Sequence, residues 1–206
     1  MRETLYMTLW STALAYLLGL PMGVLMVVSD KEGLRPMRWL NAALGAFINL
    51  ARSVPFLILL IAVIPLTRAV VGRIVGSTAT IVPLTLSAAP FIARLVESSL
   101  KEVDAGVVQA ARSMGATPTQ IIWKVLLAEA RPSLLLGAAI AVTTILGYSA
   151  MAGFVGGGGL GDIAIRYGYY RYQRDTMLWT VALLVIVVQL FQEAGARAAK
   201  GIDRRL

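Results

Sequence analysis

Few side chains in this 206-residue chain could do chemistry, and their kinds narrow the choices at once. Histidine and cysteine are both absent, which removes the commonest general base, the commonest transition-metal ligand and all thiol chemistry. The ionisable residues within or at the end of long apolar stretches are Arg52, Arg94 and Glu97. Arg94 and Glu97 stand three apart and can pair on one helical face, so a local ion pair accounts for them as well as a role along a path does. Two placements fit Arg52, just before Ser53-Val54-Pro55-Phe56. It can begin a span and snorkel to the surface, or it can sit at a proline-induced break facing the subunit interior as a clamp near a gate. Between two apolar spans lies a polar island, Val-Gln-Ala-Ala-Arg-Ser-Met-Gly-Ala-Thr-Pro, from Val108 to Pro118. Its small residues suit close approach by a partner rather than catalysis.

Other patterns carry less. Gly156 to Gly161 formally contains Gly-x-Gly-x-x-Gly, but no strand precedes it, so it is no nucleotide fingerprint. Glycine there supplies unusual backbone angles where the chain leaves a span. No Gly-x-x-x-x-Gly-Lys-Ser/Thr occurs, so any ATP hydrolysis belongs to another polypeptide. The run Tyr167-Gly168-Tyr169-Tyr170-Arg171-Tyr172 reads better as an interfacial aromatic belt than as a nucleic-acid stacking platform.

The elements that must position these residues are membrane helices. The chain is 58% hydrophobic with a mean hydropathy of +0.75, too apolar for an ordinary soluble domain. Spanning takes about 20 mostly apolar residues. Charge-free runs of that order or near it cover Thr4–Ser29, Ile74–Ala93, Pro132–Gly161 and Thr176–Gln192. The region Trp39–Thr67 is apolar except for Arg52. The reading is five spans, 5–28, 40–66, 76–97, 133–154 and 177–194, in one domain over 1–206. The first run is too long for a signal-peptide core and lacks a small-residue cleavage site. Pro83 and Pro90 predict a kink in the third span. The fourth, rich in Gly and Ala with Thr143, Thr144, Tyr148 and Ser149 interleaved, suits a helix packed in a core and lining a path.

The net charge of +8 is spread over loops rather than gathered in one polar domain. With the N-terminus outside, Lys31, Arg35, Arg38, Lys101, Arg112, Lys124, Arg131, Arg197, Lys200, Arg204 and Arg205 face the cytoplasm. These eleven stand against Arg2, Arg68, Arg73, Arg166, Arg171 and Arg174 outside, and the positive-inside bias favours N-out, C-in.

Within the island, Asp104 is placed to cap a short helix ended by Gly115. Thr117-Pro118 then starts a second helix with Ile121, Ile122, Val125 and Leu126 on its apolar side. Such a hairpin either lies on the membrane surface or fills a partner's groove with a small face made by Ala110, Ala111 and Gly115.

That segment resembles the cytoplasmic Glu-Ala-Ala-x-x-x-Gly signature of ABC importer permeases, matched at Gln109, Ala110, Ala111 and Gly115. It departs in having Gln109 for the usual Glu and in lacking the proline after Val125-Leu126-Leu127. The segments Arg52–Phe56, Ile81–Thr85, Ala88–Arg94, Ser113–Pro118, Gly147–Met151 and Gly159–Gly161 together look like the methionine-importer branch. The resemblance implies an all-α type I ABC importer transmembrane fold in the bacterial inner membrane, with a coupling loop over 98–131. It assigns ATPase coupling to Gln109, Ala110, Ala111, Met114, Gly115, Ala116 and Thr117. Gate or path candidates are Arg52, Pro55, Pro90, Arg94, Tyr148, Ser149 and Met151. Implied partners are a second copy, a cytoplasmic ATPase dimer carrying ATP and Mg, an external methionine-binding protein and lipid, but no nucleic acid. The chain holds no cofactor of its own. The handedness of the methionine stays open, as do another amino acid or small osmolyte as solute, and a non-transporting membrane scaffold. A membrane enzyme is disfavoured for want of His, Cys and paired intramembrane carboxylates.

Overall fold

A computed structural model describes residues 1–202; Arg204 and Arg205 lie outside them. The described residues form helices joined by short loops, with no strand among them. It runs α1 (Arg2–Val28), α2 (Arg38–Ser53), α3 (Phe56–Ala62), α4 (Ile64–Val71), α5 (Ser77–Lys101), α6 (Ala105–Ser113) and α7 (Pro118–Ile121). A π-helical stretch, Ile122–Leu126, leads into α8 (Leu127–Glu129) and α9 (Arg131–Met151). After a 3₁₀ turn come α10 (Gly159–Ile163), a second π stretch, Ala164–Tyr169, and α11 (Arg174–Ile202).

Four segments are long and apolar enough to cross a membrane: Arg2–Val28, Ser77–Lys101, Arg131–Val155 and Arg174–Ile202. The expected fifth span, 40–66, is not one helix. α2 and α3 meet at 99° across Val54-Pro55. Pro55 disfavours a helical angle at the residue before it, and Val54 is extended at φ −80°, ψ 121°. α5, by contrast, runs unbroken through Pro83 and Pro90.

α5 is the core of the subunit, with more of its apolar window buried than any other long helix. α1 lies parallel to it. Gly19 sits where a Cβ would come 2.7 Å from the Ala89 carbonyl oxygen, and Gly23 where one would come 2.6 Å from that of Ala93. Two glycines a turn apart let the backbones touch, the contact that counts where lipid competes for ordinary apolar packing. The small-residue helix α9 is less enclosed than α5, against expectation. Its buried positions are Gly137, Ala141, Ile145, Leu146 and Ser149, and Gly147 faces open space.

The loops sort to two ends of the bundle. At one, the N-terminus meets the glycine-rich run: Glu3 accepts the Gly159 N–H at 2.8 Å, and Thr4 Oγ1 accepts that of Leu160 at 2.8 Å. Gly76 N–H donates to the Gly156 carbonyl there at 3.0 Å, and Gly156, Gly158 and Gly159 all adopt positive φ. At the other end lie loop 29–37 and the segment 102–130.

Candidate coupling segment and gate

Local chemistry fixes the polar island almost completely. Asp104 Oδ1 accepts the Gly106 N–H at 2.7 Å and starts α6. Past Ser113 the chain closes a Schellman turn: Ala116 N–H donates to the Ala111 carbonyl at 3.1 Å and Gly115 N–H to that of Arg112 at 2.9 Å. Gly115 holds φ +77° to do so. Thr117 then caps α7 in a reciprocal box with Gln120, its Oγ1 accepting the Gln120 N–H and its own N–H donating to Gln120 Oε1 at 2.9 Å. Pro118 occupies the first helical position, where its missing N–H costs nothing. The apolar side expected beyond it is present: Ile121 and Leu126 are buried, and Ile122 and Val125 half-buried.

The outward face differs from the expected one. Gln109, Ala110, Gly115 and Thr117 are exposed, Met114 is 81% exposed and Ala116 half-buried. Ala111 is 6% exposed and packs into the subunit's own core. Its side chain points about 100° around the helix from that of Ala110, so one is buried while the other is exposed. Ala111 therefore anchors α6, and the small face left for a partner is Ala110, Met114 and Gly115. No atom outside the local chain lies within 4 Å of a Cβ built at Gly115.

The gate candidates divide into two groups. Pro55 marks the helix break and is exposed, but Phe56 beside it is buried and stacks on Tyr148 of α9, ring centres 4.7 Å apart and planes within 6°. Arg94 forms an ion pair with Glu97 at 2.6 Å and also donates across to Asn49 Oδ1 of α2 at 2.8 Å. Asn49 in turn accepts at its carbonyl from Ser53 Oγ, one turn on at the break. Pro90 is buried in the same helix as Arg94. The structure thus ties the break to α5 and α9. Arg52, Ser149 and Met151 do not join this cluster. Arg52 is exposed at the end of α2 rather than facing the subunit interior, Ser149 donates to its own helix at the Leu146 carbonyl, and Met151 is exposed.

Two participants escaped the sequence reading. Phe56 stood in plain view after Pro55 but had no partner in sequence. Lys101 continues the ion-pair chain, reaching Glu97 at 3.0 Å and Asp30 of loop 29–37 at 2.9 Å. Hydrogen bonding from Lys101 holds the Asp30 carboxyl below its usual range, helped by the Lys31 N–H.

Comparison with known proteins accords with this geometry. The family described as binding-protein-dependent transport system inner membrane component matches residues 15–206. A probable D-methionine transport system permease protein of Vibrio cholerae is 53% identical over 203 residues, 98% of this chain and 90% of that one. The D-methionine transport system permease protein of Escherichia coli K12 is 49% identical over 151 residues, 73% of this chain and 70% of that one. Among solved structures, an inward-facing conformation of the MetNI methionine ABC transporter superposes with a TM-score of 0.97 at 48% identity, covering 98% of this chain and 94% of the other. An amino acid ABC transporter with histidines, at 19% identity and a TM-score of 0.73, shares the fold.

Proposed function

The chain belongs to the family of binding-protein-dependent transport system inner membrane components, and from that premise we propose that it is the permease subunit of an ABC importer that carries methionine across the inner membrane. The observation that carries this reading is full-length likeness: 53% identity over 98% of the chain to a permease named for D-methionine transport. The similarity of the fold to an inward-facing methionine ABC transporter supports it.

The mechanism is alternating access, in which an external event rocks helices about a central path. Two copies of the permease pair with two ATPase subunits, which bind ATP and Mg and hydrolyse the nucleotide. The exposed face Ala110–Met114–Gly115 seats on the ATPase, and Gln109 and Thr117 flank it. When the ATPase pair closes, α6 moves. The rigid caps at Asp104, Gly115 and Thr117 make it a lever rather than a flexible loop. The broken helix at Pro55, stacked through Phe56 on Tyr148 and tied by Arg94 to α5, is the element that gives way on the path. An external methionine-binding protein delivers the solute. The N-terminus lies outside and the coupling segment inside.

Reconstituted in proteoliposomes with its ATPase and binding protein, the permease is expected to take up methionine only when ATP is supplied. Uptake of a different amino acid, with methionine neither carried nor competing, overturns the substrate.

A further inference from the structure

The coupling helix α6 is held to its own subunit by surprisingly little. Ala111 is its one buried residue, and its chain connections run through loop 102–104 and the turn at 114–117. A cleft of about 480 Å³ opens between α6 and loop 29–37, lined among others by Val27, Asp30, Gly33, Lys101, Val108 and Arg112. Two polar contacts bridge this region. Arg112 Nη2 on α6 donates to the Gly33 carbonyl at 2.9 Å, and Lys101 Nζ, at the end of α5, pairs with Asp30 at 2.9 Å.

Loop 29–37 is a stiff receiver for such contacts. Arg35 N–H donates to the Val28 carbonyl at 2.9 Å, Met37 N–H to that of Ser29 at 3.0 Å, and Gly33 N–H to that of Asp30 at 3.0 Å. Asn41 of α2 closes the corner by donating to the Met26 carbonyl at 2.7 Å and to Ser29 Oγ at 3.2 Å. A Cβ at Gly33 would collide with the carbonyl oxygens of Val27 and Val28, so the loop lies directly on the end of α1. A displacement of Gly33 or Asp30 is therefore a displacement of α1 and α2 together.

We propose that Arg112 and Lys101 are positioning residues that strut the coupling segment against the α1–α2 corner, so that movement of α6 reaches α1 and the broken helix directly as well as through α5 and α9. This rests on the importer reading above. Two covalent routes leave α6: loop 102–104 leads to α5, and the turn at Gly115, α7 and the π stretch lead to α9. The strut route is separate from both: Arg112 to Gly33, then along α2 to Asn49 and the break. A charged donor on a neutral carbonyl is a directional contact. Each bridge alone is exposed and worth little as stability. Its value here is mechanical, because both act on one stiff corner.

The test uses the permease–ATPase complex with Arg112→Met, Asp30→Asn and the two combined, and Arg112→Lys as the conservative variant. ATP hydrolysis and methionine uptake are measured side by side. The expected result is an assembled complex that hydrolyses ATP while uptake per ATP falls about tenfold in the double variant, a factor equivalent to ~1.4 kcal/mol of lost coupling, with partial recovery in Arg112→Lys. Wild-type uptake per ATP in the double variant overturns the proposal. A second reading does not depend on the solute. Spin labels on Glu32→Cys and Ala105→Cys, across the cleft, are expected to keep one narrow distance in the wild-type background with and without trapped nucleotide, and a broad one in the double variant. A wild-type distance that shifts on trapping, or an equally narrow distance in the double variant, overturns the strut even if the complex carries something other than methionine. Absence of methionine uptake by the wild type, with the label distances as expected, overturns the substrate alone. If the double variant does not hold its ATPase, the same label pair is read in both permeases without ATPase, where an equally narrow distance in the double variant again overturns the strut.

Discussion

Gly115 is the single residue on which the shape of the coupling turn depends most. Its φ of +77° is what lets Ala116 and Gly115 return their N–H groups to the Ala111 and Arg112 carbonyls. A side chain there meets no neighbour within 4 Å inside the subunit, so overpacking can come only from a docked partner. The backbone cost of a left-handed angle is about 1–2 kcal/mol for an ordinary L residue and less for Asn. This separates two roles that the sequence leaves joined. If the turn needs only the angle, Gly115→Asn retains transport while Gly115→Val loses about tenfold in ATPase association, since ~1.4 kcal/mol is a factor of ten. If the ATPase also approaches closely, Asn fails as Val does. Gln109→Ala is expected to do less than Gly115→Val, because the usual carboxylate is already missing. Co-purification of the ATPase with each variant, at matched membrane levels, is the measurement. Wild-type association and uptake by Gly115→Val would remove the coupling role from this turn.

At the scale of elements, what was legible in the sequence was what neighbours in sequence decide. Asp104 starting α6, Gly115 ending it, and Thr117-Pro118 starting α7 rest on contacts spanning at most five residues, and residue type alone announces them. The break at Pro55 was legible for the same reason, but its 99° angle was not, because the angle depends on what α3 finds to pack against. Phe56 on Tyr148 and Lys101 on Asp30 join residues far apart in the chain, and no local pattern reveals such pairs. The facing of Ala111 was missed because a helix of nine residues buried at one position gives almost no periodic signal. α5 is the core of the subunit because Gly19 and Gly23 of α1 let that helix come down on the Ala89 and Ala93 backbone. That packing is testable. A Cβ at Gly23 would lie 2.6 Å from the Ala93 carbonyl oxygen, whereas one at Gly147 meets nothing within 4 Å. Gly23→Ala is expected to destabilise the purified protein by about 1–3 kcal/mol, the usual cost of overpacking, and Gly147→Ala to leave it unchanged or slightly firmer. Thermal unfolding in detergent reads both. Equal midpoints for the two variants would contradict the close α1–α5 contact.

For the whole molecule, two independent lines converge on sidedness. The structure gathers loop 29–37 and the coupling segment at one end through Asp30–Lys101 and Arg112–Gly33, and gathers the N-terminus with the glycine-rich run at the other through Glu3 and Thr4. This sorting uses no charge rule. By the positive-inside bias, the charge count of eleven basic residues against six makes the end with loop 29–37 the expected cytoplasmic one, although Arg204 and Arg205 among the eleven lie outside the described residues. Because the chain lacks cysteine, single reporters can be read without background. Thr119→Cys, on exposed α7, is expected to react with an impermeant thiol reagent only after cells are opened. Tyr172→Cys, at a position 87% exposed on the opposite end, is expected to react in intact cells. The pair is stronger than either reporter alone, since a leaky membrane would label both and a shielded site neither. Labelling of Thr119→Cys from outside with Tyr172→Cys silent would invert the orientation. It would also place the coupling face where no cytoplasmic ATPase could reach it.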